Sequence, residues 1–162
     1  MKKKTLILII LGIVVATGIF VYTRPKEPTV EQIVVQEQRA VEDMVLAFGQ
    51  QLKNVPLTAS QEILSASLKK EYETTVAPAL LTRWIQGPKN APGRATSSPW
   101  PERIEIKSME KVGDYYEIVA DIVEMTSAEV EGGTESGRTA VYLTAALVNS
   151  KWQVVEYQTS ME

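Results

Sequence analysis

The spacing of apolar residues changes once along this chain, and that change limits the fold more than any other feature. Between Val34 and Ile85 apolar residues recur at helical intervals, whereas from Arg103 onward they alternate with polar residues as in a β-strand. Helices that precede strands, instead of alternating with them, are typical of an α+β domain. We therefore expect two to three helices packed on a four-stranded antiparallel meander sheet.

The helical half carries clear start and stop signals. Thr residues followed three positions later by Gln have the spacing of a capping box, and two such pairs precede apolar stripes: Thr29 with Gln32, and Thr58 with Gln61. The first helix should end near Lys53, before Pro56. A third, short helix has Pro78 in its first turn and stops at Gly87.

A loop rich in Pro, Gly and Ser, over residues 87–101, separates the two halves and is long for a compact domain. After it, the strands are separated by turn signals: Gly113 with Asp114, Gly132 with Gly133, and Asn149 with Ser150. Strands joined by such hairpins form a meander. Parity along the strand from Tyr115 to Met125 places Tyr116, Ile118, Ala120 and Ile122 on the face that packs against the helices.

The N-terminus indicates a membrane anchor. Three lysines precede an uncharged run, residues 5–22, which is about the minimum length for crossing a bilayer. The basic stub favours an inside N-terminus and an outside domain. We predict a cytoplasmic stub (1–4), a transmembrane anchor (5–22), a proline-rich linker (23–29) and an extracytoplasmic domain (30–162) of a single-pass cell-membrane protein. A cleaved signal peptide ending near Gly18 is the alternative.

Composition excludes several functions. The chain has no Cys and no His, so His-dependent triads, thiol nucleophiles and imidazole or thiolate metal sites are impossible. Without the three N-terminal lysines, 14 of the 17 basic residues remain against 20 acidic ones, which leaves a net charge of about −6. We expect no nucleic-acid partner, no cofactor, no metal site and no catalytic residue. Asp121 could act as a general base if a pocket shielded it from water, but its parity with Glu117 places it on a solvated face.

The order of helices, long loop and meander, ending in an Asn-Ser turn and the strand Lys-Trp-Gln-Val-Val (151–155), resembles the NTF2-like superfamily of cystatin-like α+β cones. The resemblance extends from Thr29 to Gln158. It implies a cone of helices on a curved sheet, and a superfamily that includes isomerases, dehydratases, binding domains and membrane-anchored components of envelope and secretion machines. Residues 91–101 also resemble a segment of uncharacterised anchored proteins of Gram-positive bacteria.

Two groups of side chains are candidates for binding. Tyr116 and Trp84, with Trp152 if its strand parity agrees, would line a cone pocket, or would be ordinary core aromatics. In the long loop, Arg94 could hold a carboxylate or phosphate while Trp100 supplies an apolar anchor; alternatively, Trp100 plugs the cone and Arg94 pairs locally.

The outer face of the sheet is also expected to be apolar, because parity places these residues on it: Val119, Val123, Tyr142, Ala146 and Val148. The facing core set is Val141, Leu143, Ala145 and Leu147. A sheet that is apolar on both faces must be covered on both. This predicts a homodimer, a partner protein of the envelope, or an N-terminal helix that folds across the sheet.

Together these features favour a non-catalytic, membrane-tethered interaction or small-ligand-binding module of the cell envelope. A small enzyme of isomerase or dehydratase type, using Asp and Tyr, is one alternative. A subunit of a secretion or conjugation complex is another.

Overall fold

The computed structural model describes residues 29–127 and 135–160. The predicted stub (1–4), the anchor (5–22), most of the linker and the Gly132–Gly133 turn lie outside the described residues. Within them, no helix is both long enough and apolar enough to cross a membrane. The chain separates into two compact units, Met1–Val35 and Gln36–Glu162, and the sheet and every candidate site residue belong to the second.

Helix α1 spans Val30–Gln51 and begins at the predicted capping box. The backbone N–H of Thr29 donates to Oε1 of Gln32 at 2.9 Å, and the N–H of Gln32 donates to Oγ1 of Thr29 at 3.3 Å. A short 3₁₀ turn over Leu52–Asn54 ends the helix, as expected from Pro56 close behind.

Helix α2 spans Gln61–Tyr72, and its predicted cap at Thr58 is wrong, because Ser60 occupies the N-cap position. The reason is a turn just before the helix, in which the N–H of Ala59 donates to the carbonyl oxygen of Pro56 at 3.1 Å. Thr58 lies inside that turn. A capping-box spacing involves only four residues, so it cannot predict that a preceding turn moves the start of the helix a few residues along the chain.

Helix α3 spans Pro78–Gln86, with Pro78 in its first turn and Gly87 at its C-cap, as predicted. A 3₁₀ turn over Pro88–Asn90 follows. The residue before Pro78 is extended, which prevents α2 and α3 from merging into one helix.

In the described residues the second half forms a four-stranded antiparallel meander in the order β1-β2-β3-β4. The strands are β1 (Trp100–Val112), β2 (Tyr115–Met125), β3 (Gly137–Val148) and β4 (Lys151–Thr159). Gly113 has a φ of 61° in the first hairpin. Asn149 and Ser150, at 50° and 63°, both adopt the left-handed conformation that a tight two-residue hairpin requires.

The core lies between the three described helices and one face of the sheet. The predicted inward face of β2 is confirmed, since Tyr116, Ile118, Ala120 and Ile122 are all buried. Leu147 differs: it shares the inward parity of β3 but is 56% exposed. It lies one residue before the end of β3, so parity alone does not bury it.

Two backbone hydrogen bonds join the helical half to the last strand. Between α2 and α3 the chain runs parallel to β4, and the N–H of Val154 donates to the carbonyl oxygen of Thr75 at 2.8 Å. The N–H of Ala77 donates back to the carbonyl oxygen of Val154 at 2.9 Å. These bonds fix where α3 begins relative to the sheet.

Helix α1 crosses β1 at Gly49, where the backbones approach too closely for a side chain. A Cβ atom at this position would lie 2.7 Å from the backbone nitrogen of Ile104 and 2.8 Å from its Cβ atom. Neither atom can move without displacing the strand. The small residue therefore sets the distance between the helix and the sheet.

Replacement of Gly49 by Ala should destabilise the protein by about 1–3 kcal/mol, the usual cost of overpacking. Helix propensity alone would change stability in the opposite direction by only about 1 kcal/mol, so the contact with Ile104 should dominate. Urea-induced unfolding of the purified chain measures the difference. Gly87→Ala is the matched control, because its nearest contact is 3.6 Å away. Equal stability of the two variants would contradict the close-packing argument.

Candidate functional site

Four aromatic rings pack together between the helices and the sheet, where either a cone pocket or a core of ordinary aromatic residues was possible. Phe48 of α1, Tyr72 of α2, Trp84 of α3 and Tyr157 of β4 have centroids 5.3–6.4 Å apart in five pairs. The hydroxyl of Tyr72 donates to the carbonyl oxygen of Pro92 at 2.8 Å, and burial raises the pKa of this phenol well above its usual value. This aromatic cluster makes the interior a packed core.

Tyr116 and Trp152 form a separate pair, with centroids 5.3 Å apart and rings at 80°. Trp152 lies opposite Leu147 in β3, and Tyr116 lies opposite Ala145, so both side chains have inward parity. The predicted trio is thus divided: Tyr116 and Trp152 meet, whereas Trp84 belongs to the aromatic cluster.

Arg94 is held by its backbone rather than by its side chain. Its N–H donates to the carbonyl oxygen of Val55 at 2.8 Å, and its own carbonyl oxygen accepts the N–H of Leu57 at 2.9 Å. The side chain is exposed and forms no hydrogen bond or ion pair with any described residue. The loop therefore anchors Arg94 firmly and leaves its guanidinium available.

Trp100 is half-buried at the start of β1, and its indole Nε1 donates to Oε2 of Glu102 at 2.6 Å. The other oxygen of that carboxylate pairs with Nζ of Lys53 at 2.7 Å. Partial burial raises the pKa of Glu102, but the hydrogen bonds from Lys53 and Trp100 outweigh it and hold the pKa below its usual value. Glu102, Lys53 and Arg103 lie beside an open cleft of about 540 Å³. Trp100 thus pairs with Glu102, and no bond joins it to Arg94.

One end of the outer sheet face is charged instead of apolar, which corrects the prediction for Val123. This residue is fully buried, and its direct neighbours in the adjacent strands are Arg103 and Arg138. Both guanidinium groups bind Glu135, at 2.9 and 2.6 Å, and both bind Glu105, each at 2.7 Å. Long side chains with charged ends can cover an apolar residue with their methylene stems. Alternation along β2 predicts that Val123 lies on the outer face, but it does not predict that arginine side chains lie on both sides of it.

Asp121 belongs to the same ion network, since its carboxylate pairs with Lys107 at 3.0 Å and with Arg138 at 3.2 Å. The hydrogen bond from Lys107 and then that from Arg138 lower the pKa of Asp121. A general base that works near neutral pH needs a raised pKa. Asp121 has the opposite environment.

The other end of the outer face carries exposed acidic side chains that pair with no described residue. Glu110, Glu117, Thr144 and Glu156 lie directly opposite one another across the four strands, and we call this row the acidic rung. All three glutamates are exposed, and none forms an ion pair with a described residue. Like charges placed opposite each other destabilise a sheet, so the acidic rung is an electrostatic cost in the isolated chain.

Beside the acidic rung lies a row with an apolar centre, in which Val119 and Tyr142 lie between Ser108 and Gln158. Val119 is half-buried and opposes Tyr142, which is 49% exposed. A cleft of about 280 Å³, here called the outer cleft, is lined by residues of both rows, including Glu117, Tyr142 and Glu156. A second cleft of about 300 Å³, the inner cleft, separates α3 from β4 and is lined by Leu80, Arg83, Trp84, Asn90, Glu156, Tyr157 and Gln158.

Sequence reasoning missed the acidic rung and both clefts. The three glutamates are far apart in the chain, and they align only once the pairing register of every strand is fixed. Tyr157 has the inward parity of Trp152 only because a bulge near Val155 shifts the register by one residue. Within the described residues, no acidic side chains group closely enough to hold a metal ion.

No protein-family model and no curated protein match this chain. Among solved structures, it is similar to an NTF-2 like protein of unknown function from Silicibacter pomeroyi DSS-3. The identity is 14%, the TM-score is 0.34, and the alignment covers 82% of this chain and 99% of that one. The structure itself confirms the predicted element order, since the described helices precede a four-stranded antiparallel meander.

The ion network should make stability depend on pH in the acid range. The hydrogen bond from Arg103 and then that from Arg138 lower the pKa of Glu105, as Lys107 and Arg138 do for Asp121. Because the folded-state pKa values are depressed, the stabilisation is present above about pH 4 and is lost as pH falls through the lower folded values. A Glu105→Gln/Asp121→Asn double variant should be less stable at pH 7 and should lose less stability on acidification.

Urea unfolding at several pH values between about 2 and 7 measures this dependence. Glu62→Gln is the control, because Glu62 is exposed on α2 and pairs with no described residue. The control should keep the slope of the natural chain. A double variant with an unchanged slope would show that the ion network does not contribute.

Proposed function

We propose that this chain is a non-catalytic interaction module of the cell envelope, consisting of an extracytoplasmic domain tethered to the membrane by residues 5–22. The observation that carries the proposal is the contrast between a filled interior and an open outer sheet face. Rings from four elements occupy the cone. On the opposite surface lie exposed Tyr142 and the acidic rung, which forms no ion pair with a described residue.

The filled interior supports binding at the surface over catalysis. An enzyme of this architecture would need a partly polar pocket that shields its reacting groups from water. Here the aromatic cluster occupies that position, and the described clefts are open to solvent. Asp121, the carboxylate considered for acid-base chemistry, is held in its ionised form by Lys107 and Arg138.

The exposed side chains of the outer face are consistent with binding to a protein partner. Tyrosines contribute strongly to interfaces because they combine a large apolar area with a polar end. Tyr142 is exposed beside Val119, and Tyr115 is 37% exposed two positions before Glu117. An acidic row between such residues would be neutralised by a cationic partner.

The tether and the location rest on the sequence. The uncharged run over residues 5–22 has the length of a membrane span, and the lysines before it favour an inside N-terminus. Similarity of residues 91–101 to anchored Gram-positive proteins supports the outer face of a single membrane. A secretion or conjugation complex is one kind of assembly that such a module could join.

Native mass spectrometry of the full-length chain, extracted gently from its own membrane, tests the proposal. We expect the intact chain, including residues 5–22, in complex with a second protein. Tyr142→Ser should reduce the bound fraction roughly tenfold, as for a central interface tyrosine, while changing stability by less than about 0.5 kcal/mol. Ile63→Ser is the matched control, because Ile63 is 57% exposed on α2 and lies away from the sheet.

Three results would contradict the proposal. A measured mass that lacks the first 18 or so residues would indicate cleavage by a signal peptidase and would exclude the tether. A retained small molecule without any protein partner would favour ligand binding. A complex that survives Tyr142→Ser undiminished would exclude the outer face as its interface.

A further inference from the structure

Strand β4 has an edge that the described residues cover only in part. One side of β4 pairs with β3 along its length. On the other side, Val154 alone pairs with described residues, through its hydrogen bonds with Thr75 and Ala77. The chain then turns into α3, so no described strand lies beside residues 156–159.

The orientation of the free backbone groups follows from the hydrogen bond at the end of the strand. The N–H of Ser160 donates to the carbonyl oxygen of Ala140 at 3.0 Å, so the backbone of Ser160 faces β3. Backbone groups alternate along an antiparallel strand. Those of residues 156 and 158 therefore face β3 as well, and those of Tyr157 and Thr159 face outward, where no described residue binds them.

A cleft lies on each side of this open edge. The inner cleft meets β4 at Glu156, Tyr157 and Gln158, and the outer cleft meets it at Glu156 and Gln158. In an extended peptide, successive side chains point to opposite faces. A peptide paired with Tyr157 and Thr159 would thus place its side chains alternately in the two clefts.

We propose that the open edge of β4 binds an extended basic peptide segment of a partner protein, which adds a fifth strand to the sheet. This inference rests on the proposed function and names the chemistry of the partner. The main-chain bonds to Tyr157 and Thr159 supply affinity, and the two clefts supply specificity, as in other cases of β-strand addition.

Charge selects the partner. On the outer face the peptide meets Glu156, the end of the acidic rung, with Glu117 two strands away. Lysine or arginine at alternate positions neutralises carboxylates that have no ion-pair partner among the described residues. On the inner face it meets Leu80 and Trp84, which suit a large apolar side chain.

A second copy of this chain fits the edge less well. Residues 156–160 of β4 read Glu-Tyr-Gln-Thr-Ser and contain no basic side chain. Pairing between two such edges would bring more negative charge to the acidic rung. The same segment also lacks the lysine or proline with which proteins commonly block an exposed strand edge.

The test uses the full-length chain in a neutral detergent and the acetylated, amidated hexapeptide Lys-Val-Lys-Phe-Lys-Thr. We expect saturable binding by isothermal titration and slower hydrogen exchange at the amides of Tyr157 and Thr159 by NMR. N-methylation of one alternating set of peptide residues should weaken binding at least about tenfold, because it removes the donors that face β4. N-methylation of the other set should have little effect.

Two variants of the chain separate the contributions of backbone and charge. Thr159→Pro removes an outward N–H and leaves the hydrogen bonds to β3 intact. Strands tolerate proline where the N–H faces away from the sheet, and the loss of this donor should weaken binding about fivefold. Glu156→Gln should weaken binding about threefold and reduce its dependence on salt. Glu62→Gln, on α2, is the control and should bind like the natural chain.

The outcomes distinguish this inference from the proposed function. If the peptide perturbs Tyr142 and N-methylation of either set leaves its affinity unchanged, strand addition is overturned and an interaction at the sheet face remains. Self-association that protects Tyr157 and Thr159 without peptide identifies a second copy as the occupant and overturns the basic partner. If the peptide does not bind but the native complex depends on Tyr142, only the edge proposal is overturned. If neither peptide binding nor such a complex is found, the proposed function is overturned as well.

Discussion

The contact among Phe48, Tyr72, Trp84 and Tyr157 is the interaction on which the rest of the structure depends. Each ring comes from a different element, so one cluster holds all three described helices against the last strand. Aromatic pairs in such arrangements contribute about 0.5–1.5 kcal/mol each beyond the burial of their area. Tyr72 also reaches the long loop through Pro92, which connects the cluster to the segment that leads into the sheet.

The aromatic cluster packs the interior against one face of the sheet, and the opposite face is polar. The outer sheet face is divided along the strands. At one end, Arg103, Lys107 and Arg138 pair with Glu105, Asp121 and Glu135, and the two arginines lie on either side of Val123. At the other end, no described basic side chain pairs with the acidic rung. Compensated charge stabilises the chain itself, whereas uncompensated charge is available to a partner.

The segment between α2 and α3 pairs with one part of the edge of β4 and leaves the sheet before the other part. Residues 75–77 pair with Val154 and then leave as α3, because the proline at position 78 starts a helix. The first part of the edge is therefore covered by the chain itself. No described residue pairs with the part that contains Tyr157 and Thr159, which lies between the two clefts, because α3 starts before the connection reaches it.

Local patterns in the sequence determined the elements. The capping box at Thr29, Pro78 and Gly87 around α3, and the Asn149–Ser150 turn act within a few residues, so they can be recognised without any knowledge of the fold. The parity of β2 was equally local. The absence of Cys and His likewise excluded whole classes of site by composition alone.

Only the tertiary structure decided which side chains meet. It separated Trp84 from Tyr116 and Trp152, covered Val123 with two arginines, and aligned the acidic rung from strands far apart in the chain. It also set the contact of Gly49 with Ile104. These features depend on strand register, on one bulge and on where the helices cross the sheet, and such long-range relations leave no periodic signal in a single sequence.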